Sequence, residues 1–305
     1  MDETQYANNI FSQPWWLDVV ASGKWREIIV KDKKDNIIAR QVVVGKSNIY
    51  MPTLTQTLGI WMADDISGNY GKSKQVVQNI LGQMGKVNNV HICLDVENQY
   101  ILPYRWAGYV MEPKFTYRID DLSDLDGLYA GFNKTAKKNI KYANNKVTLT
   151  DKLNVDELWQ MLNKTFAVQN RKNPLDKSVV YNLVQECEKR RAGKYISAKD
   201  AEGNVHSCAY FVYDKKTCYY LLGASDARFR SSGAQSLVIW EGIKFAATVS
   251  KCFDFEGSMV EGIENFFRQF NSKCIPYYEV RKQSIFREIM LLFKPKVKRL
   301  IGYKI

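Results

Sequence analysis

The chain has 305 residues, 46% apolar and 25% charged, the proportions of a soluble globular protein with material for about two domains. This excludes a disordered tail, a collagen-like chain and a small disulfide scaffold. Lys and Arg number 44 against 32 Asp and Glu, a formal charge of +12, which favours anionic partners such as RNA, phosphorylated small molecules or an anionic membrane surface.

In chain order, Pro14-Trp15-Trp16-Leu17 opens a helix with Pro in its first turn. Residues 25–31 and 37–45 form a hairpin, 73–84 a helix, 90–97 a strand and 99–107 a helix. A long helix is expected over about 122–143, with Leu125, Leu128, Tyr129, Phe132, Ala136, Ile140 and Ala143 on one stripe. Helices follow at 154–170 and 176–191, then strands at 194–199, 204–213 and 217–224. A helix at 233–249, a strand at 252–256 and a helix at 260–270 complete the series. Strands interleaved with helices predict an α/β chain with a mixed sheet covered on both faces.

The chain also contains itself twice. Ile29-Val30-Lys31-Asp32 and Asn36-Ile37 recur as Ser197-Ala198-Lys199-Asp200 and Asn204-Val205, 168 residues on. Cys93-Leu94-Asp95-Val96-Glu97 recurs as Cys252-Phe253-Asp254-Phe255-Glu256, 159 residues on. Two matches in one order at nearly one offset point to a duplicated α/β domain. The expected divisions are a first domain at 1–121, a connecting basic helix at 122–145, a second domain at 146–282 and an amphipathic basic segment at 283–305.

On the connecting helix, Lys134, Lys137, Lys138 and Lys141 lie nearly opposite the apolar stripe. Two readings stay open: a solvated basic face, or a stripe that contacts phosphates, since four lysines without an interleaved acid repel one another unless an anion is near. Further on, Tyr220-Leu221-Leu222-Gly223-Ala224 leads through Arg228 and Arg230 to Gly233-Ala234 and an amphipathic helix. A glycine turn entering a helix offers free backbone N–H groups and a positive dipole end, a place for a phosphate. In the last segment Ile285, Phe286, Ile289, Met290, Leu292 and Phe293 share a helical face, and Lys294, Lys296, Lys298, Arg299 and Lys304 follow. That pattern fits a membrane-surface helix at an anionic bilayer, or a terminal helix packed on the second domain.

The Met1-Asp2-Glu3 start has acid where an export signal needs Lys or Arg, and no apolar run approaches the ~18 residues that cross a bilayer. The six cysteines include no CxxC pair and only two histidines accompany them, so no metal site is expected. A reducing cytoplasm is the simplest location, with peripheral membrane contact if the last segment is an anchor.

Strand, Arg-x-x-Gly-Ala turn (Arg230 to Ala234), helix and following strand resemble the core of GNAT acyltransferases. The resemblance implies that this loop binds the pyrophosphate of coenzyme A and that a β-bulge splays the neighbouring strands. Gln235 stands where the family's loop ends in a small residue. A resemblance to the FemAB-like aminoacyltransferases covers nearly the whole chain. It rests on Phe132-Asn133-Lys134-Thr135-Ala136-Lys137-Lys138-Asn139-Ile140-Lys141-Tyr142-Ala143, Tyr220-Leu221-Leu222-Gly223-Ala224-Ser225, Phe253-Asp254-Phe255-Glu256-Gly257-Ser258 and Ile263-Glu264-Asn265-Phe266-Phe267-Arg268-Gln269-Phe270. The fold it implies is two tandem GNAT-like domains joined by the basic helix. The activity it implies is transfer of an aminoacyl group from aminoacyl-tRNA to the amine of a peptidoglycan precursor.

Phe267 and Arg268 match the family's Phe-Lys pair, which implies a cation beside the reacting carbonyl or the donor's phosphates. Acyl transfer to an amine needs a proton acceptor and an oxyanion stabiliser. Asp254 and Glu256, on one face of a strand end, are the candidate acceptors, unless they cap a helix or pair with arginine. Arg268 is the candidate stabiliser. Arg228, Arg230, Gly233, Ala234 and Phe267 are the expected donor contacts. The Tyr50–Trp61 loop is the acceptor side implied by the resemblance, with Thr53, Thr55, Gly59 and Trp61 as contacts. No cofactor is expected to be held permanently; acyl-CoA or aminoacyl-tRNA enters as co-substrate, and the amine acceptor is a small precursor or a lipid-linked one. The competing expectation is a catalytically silent RNA- or lipid-binding module on the same scaffold.

Overall fold

The computed structural model describes residues 3–168, 170–257 and 259–282. The expected basic segment at 283–305 lies outside the described residues. In chain order the elements are α1 (Pro14–Val20), β1 (Trp25–Lys31), β2 (Ile37–Val44), β3 (Asn48–Ile49), β4 (Trp61–Met62), α2 (Asp64–Ser67), α3 (Tyr70–Met84), β5 (Asn89–Cys93), α4 (Leu102–Trp106) and β6 (Val110–Ile119). They continue with α5 (Leu125–Gly131), α6 (Lys134–Asn144), β7 (Thr148–Thr150), α7 (Val155–Val168), α8 (Lys177–Arg190), β8 (Gly193–Lys199), β9 (Val205–Tyr213), β10 (Thr217–Ser225), α9 (Ala234–Val249), β11 (Cys252–Asp254), α10 (Glu261–Phe267) and β12 (Lys273–Lys282). No helix among the described residues is long and apolar enough to cross a membrane.

The chain divides into two compact units. Among the described residues the larger holds 3–4, 9–20 and 114–276, and the smaller holds 5–8, 21–113 and 277–282. The division therefore falls at 113/114 rather than 121, and each unit takes in a segment from beyond it. The larger unit includes α1 because its apolar residues find a partner there. The Trp15 ring lies 5.1 Å from the Arg190 guanidinium of α8, and Phe11, just upstream, packs 4.7 Å from the Tyr219 ring.

The expected connecting helix belongs to the larger unit and is broken. Phe132 is extended, and the Asn133 side chain accepts a hydrogen bond from the Ala136 N–H at 2.8 Å, capping a new helix. The helix α6 then lays Ala136, Ile140 and Ala143 into the core beside Leu237, Ile239 and Ile243 of α9. Its apolar stripe is therefore core and not a linker.

In the larger unit the strands run in the order β6-β11-β10-β9-β8-β7. The order β3-β5-β12 and a separate sheet β1-β2-β4 lie in the smaller unit, where β12 contributes residues from Tyr277 on. The repeated hairpins are built alike. Asn36 N–H and Nδ2 donate to the two carboxylate oxygens of Asp32, both at 2.9 Å, and Asn204 does the same to Asp200 at 2.8 and 3.0 Å. Both hairpins shift register one residue before the turn, at Val30/Lys31 and Ala198/Lys199. The second pair of repeats also matches, since Asp95 and Asp254 are both buried.

Gly242 shows how the larger unit is packed. It sits mid-helix in α9, where a Cβ would lie 2.2 Å from Cζ of Phe211, a ring with no exposed surface. Helix propensity alone favours alanine there by about 1 kcal/mol, but overpacking a rigid core costs about 1–3 kcal/mol. Gly242→Ala is therefore expected to lower stability in urea unfolding; a gain in stability would show that α9 can lift off β9.

Candidate active site

The site is made where two strands of the larger unit part. β10 pairs with β11 in parallel only from Thr217 to Tyr219. Just beyond, its register against β9 jumps from Tyr219↔Val212 to Leu222↔Tyr210, so Tyr220 and Leu221 face the single residue Phe211. Such a bulge bends and twists the strand. The Tyr220 ring folds back over Gly223, where a Cβ would meet its hydroxyl at 1.7 Å.

On the other side, β11 pairs with β6 at Phe253↔Ile119 and Asp254↔Arg118 and then leaves the sheet. Phe255 N–H donates to Tyr117 O at 2.9 Å. Glu256 and Gly257 follow, both left-handed, at φ 60° and 66°. A Cβ on Gly257 would stand 2.2 Å from Phe115 O, so only glycine fits there. For Glu256 the same conformation costs of order 1–3 kcal/mol and persists only where its surroundings over-determine it.

Asp254 does so. Its Oδ1 accepts from the Thr116 hydroxyl at 2.5 Å and from Glu256 N–H at 2.7 Å, and its Oδ2 lies 3.8 Å from Arg118 Nε. Arg118 also donates to Cys252 Sγ at 3.2 and 3.1 Å. The Asp254 carboxylate is thus spent on fixing the turn. The expectation that Asp254 and Glu256 share a strand face is corrected here, because the strand ends at Asp254 and its alternation does not reach Glu256.

Glu256 differs from Asp254 in its partners: its Oε1 is sealed from solvent without a hydrogen bond. Burial, and then the neighbouring Asp254 charge, push its carboxyl well above the usual carboxylate range. A proton acceptor whose affinity is raised toward working pH suits general acid–base chemistry.

Arg268 is brought near this cluster through other side chains. It is exposed, 3.7 Å from Glu264 Oε1, and donates to Asn265. Tyr117, next to Thr116, donates to the same Glu264 oxygen at 2.7 Å. Phe267, expected as a donor contact, is instead buried among aromatic rings, 4.8 Å from Phe255, 6.2 Å from Tyr220 and 6.5 Å from Tyr117.

Beyond β10 comes the 3₁₀ turn Ala227–Ser232. Arg228 is held by Asp226, at 2.8 Å, and Asp226 also takes Lys164 at 3.2 Å. The Arg228 hydrogen bonds hold the Asp226 carboxyl well below the usual carboxylate range. Arg230 is exposed. Gly233 has φ 73°, and a Cβ there would lie 2.4 Å from Asn139 O, so α6 sits directly against the loop. Ala234 is buried, and its N–H donates to Ser232 Oγ at 3.3 Å. Gln235 hydrogen-bonds the Tyr220 hydroxyl, which burial pushes up to about 12.

Lys134, Lys138 and Lys141 are exposed on α6 and pair with no carboxylate among the described residues; Lys137 Nζ donates to Ala130 O at 2.6 Å. The four expected acceptor contacts belong to the smaller unit. Thr53 is exposed, and the half-buried Thr55 donates to Thr53 O at 3.3 Å. Trp61 packs edge-on to Tyr6 at 5.0 Å. Gly59 is buried where a Cβ would fall 2.0 Å from Asn98 Oδ1 and 2.5 Å from Asp95 N, a close backbone approach that explains the glycine. Sequence reasoning passed over Thr116, Tyr117, Arg118 and Glu264. Only the spacing of Glu264 and Arg268, four apart on a helix, was a readable signal.

Residues 130–268 match the acetyltransferase (GNAT) domain family. A comparison with curated protein sequences finds no match. Among solved structures, the fold is shared with FemX, at 12% identity over 91% of this chain and 97% of that one, TM-score 0.69. It is also shared with a tandem GNAT protein from the clavulanic acid biosynthesis pathway, at 8% identity over 88% of each chain, TM-score 0.54. A third is the C-terminal domain of a putative lysylphosphatidylglycerol synthetase from Agrobacterium fabrum, at 12% identity over 92% of this chain and 94% of that one, TM-score 0.53. The fold is thus the tandem GNAT fold that the sequence predicts.

The buried Glu256 carboxyl makes stability depend on pH. Between the ordinary carboxylate pKa and the raised one, the folded state holds a proton that the unfolded state has lost. Stability therefore falls as pH rises through that window, by about 1.4 kcal/mol per pH unit. Glu256→Gln is expected to remove this slope, read by urea unfolding at several pH values; parallel pH profiles for parent and variant would show that Glu256 ionises normally.

Proposed function

We propose that this chain, whose residues 130–268 form an acyltransferase domain of the GNAT type, moves an aminoacyl group from aminoacyl-tRNA to an amine of a cell-envelope precursor of the peptidoglycan class. The observation that carries the choice of donor is the contact between Gly233 and Asn139 O. The loop that would cradle a diphosphate is capped by α6, Arg228 is neutralised by Asp226, and Gln235 turns to Tyr220. The covering helix carries Lys134, Lys138 and Lys141 on its exposed side, a match for an extended phosphate backbone rather than one diphosphate. The acetyltransferase name of the matching domain favours acyl-CoA as the second reading, with Arg230 and Gly233 as its contacts.

In the proposed reaction the acceptor nitrogen attacks the ester carbonyl, the C–N bond forms, and the C–O bond to the terminal ribose breaks. Ionised Glu256 takes the proton from nitrogen and returns it to the leaving ribose oxygen, and Arg268 faces the developing oxyanion or the donor's phosphates. The amine attacks directly, so the enzyme needs no nucleophile of its own. Thr53, Thr55 and Trp61 are the acceptor contacts in this reading, with Gly59 fixing the backbone between them, and no cofactor is held between turnovers.

The test uses bulk tRNA charged with labelled amino acids and a peptidoglycan precursor bearing a free amine. Glu256→Gln is expected to slow transfer about 100-fold or more while leaving tRNA affinity unchanged. Changing Lys134, Lys138 and Lys141 together to Ala is expected to lower the salt dependence of RNA binding by about 2–3 in log–log slope, at roughly 0.7–0.9 per phosphate contact. Acetyl-CoA binding without tRNA binding would overturn the donor assignment. Tight RNA binding with no transfer by the parent chain would mark a silent module.

A further inference from the structure

We propose that His91, Cys93 and Glu279 form a binding site for a divalent transition-metal ion of the zinc type. The three side chains each offer one ligand atom, and these atoms lie within 4.8 Å of one another, the one such group among the described residues. All three belong to the smaller unit, and none of them is among the residues assigned to acyl transfer.

The strand geometry builds the group. β5 and β12 are antiparallel, with Glu279 directly opposite Cys93 and Arg281 opposite His91. Alternation puts Val90, Ile92 and Leu94 on one face of this pair with Val280, all buried, and His91, Cys93, Glu279 and Arg281 on the other. His91 Nε2 is already 3.4 Å from Glu279 Oε1. That is one edge of a tetrahedron, since ligand atoms about 2.0–2.3 Å from a common ion stand roughly 3.3–3.8 Å apart. The half-exposed His91 ring has room for the remaining contraction. Imidazole, thiolate and carboxylate together select a borderline ion such as Zn²⁺ or Co²⁺ over Mg²⁺ or Ca²⁺, and three protein ligands leave a fourth position open.

Arg281 is the competitor. Its guanidinium contacts Glu279, but it also reaches Glu112 Oε2 at 3.1 Å, so it keeps a carboxylate partner when an ion takes Glu279. Bound metal would join the strand at residue 93 to one at residue 279 and so tie β12 into the smaller unit, stabilising the folded chain by mass action.

Co²⁺ titration of the full chain, followed by absorption, tests the site, because a thiolate ligand adds a charge-transfer band to the d–d bands of a four-coordinate ion. The parent is expected to show both, with competition by Zn²⁺ and a rise in melting temperature with metal. Cys93→Ser should lose the charge-transfer band, whereas Cys274→Ser, at an exposed thiol elsewhere on the chain, should keep it. His91→Ala and Glu279→Gln should weaken binding about tenfold or more, the scale that even outer-shell losses reach. Arg281→Gln should tighten binding, since it removes the competing cation. Absence of any band in the parent, or a band that survives Cys93→Ser, overturns the proposal.

Discussion

The Asp254 carboxylate is the constraint on which the site depends. One of its oxygens accepts from both Thr116 and Glu256 N–H, and the other faces Arg118. A buried charge of this kind is tolerable only when paired and hydrogen-bonded, and here the bonds reach across two strands and the turn after them. They hold Glu256 left-handed, a conformation it would otherwise leave. The same negative charge then opposes ionisation of the Glu256 carboxyl, adding to the larger effect of burial. One carboxylate thus positions another and raises its proton affinity, and this needs no residue outside β6, β11 and the loop that follows.

The splay between β10 and β11 does not leave an empty slot. Phe211, Tyr220, Phe255 and Phe267 contact one another there, and Gln235 engages the Tyr220 hydroxyl. One of these rings, Phe267, belongs to α10, and Asn139 of α6 lies against the loop at Gly233. Those two helices carry the exposed cations Lys134, Lys138 and Lys141 and, just past α10, Arg268. Substitution of Gln235 for a small residue, read in the sequence as a departure from the coenzyme A loop, therefore has a physical counterpart in the way the loop is filled.

Local chemistry was legible in the sequence, and long-range pairing was not. The Asp32–Asn36 and Asp200–Asn204 turns are written in adjacent residues, and the structure repeats them bond for bond. The apolar stripe of 125–143 was read as one helix connecting two domains, whereas it packs into the core of the larger unit, and the break before Lys134 was missed because Asn133 was taken as helix interior rather than as a cap. The role of Glu256 depends on a positive φ at a residue other than glycine, which no propensity reveals. Thr116 and Arg118 lie more than 130 residues before Asp254, so no spacing could connect them. Strands as short as β3 and β4 lack the length for a pattern to show.

The two repeats show how duplication separates roles. Asp95 and Asp254 occupy equivalent positions and are equally buried, yet Asp95 binds Asn8 Nδ2 at 2.5 Å and Asp254 anchors the Glu256 turn. Two residues on, Glu97 is exposed whereas Glu256 is enclosed. Two residues before, Cys252 is covered by the Arg118 guanidinium, while Cys93 stands beside His91 and Glu279. The Arg118 guanidinium stands beside Cys252 where His91 and Glu279 stand beside Cys93, and the exposed Glu97 has no counterpart of the enclosure around Glu256 Oε1. The framework carboxylate was kept in both copies because the strand end needs it. Its neighbours diverged: among the described residues the enclosed carboxyl of Glu256 lies in the larger unit and the His91, Cys93 and Glu279 group in the smaller.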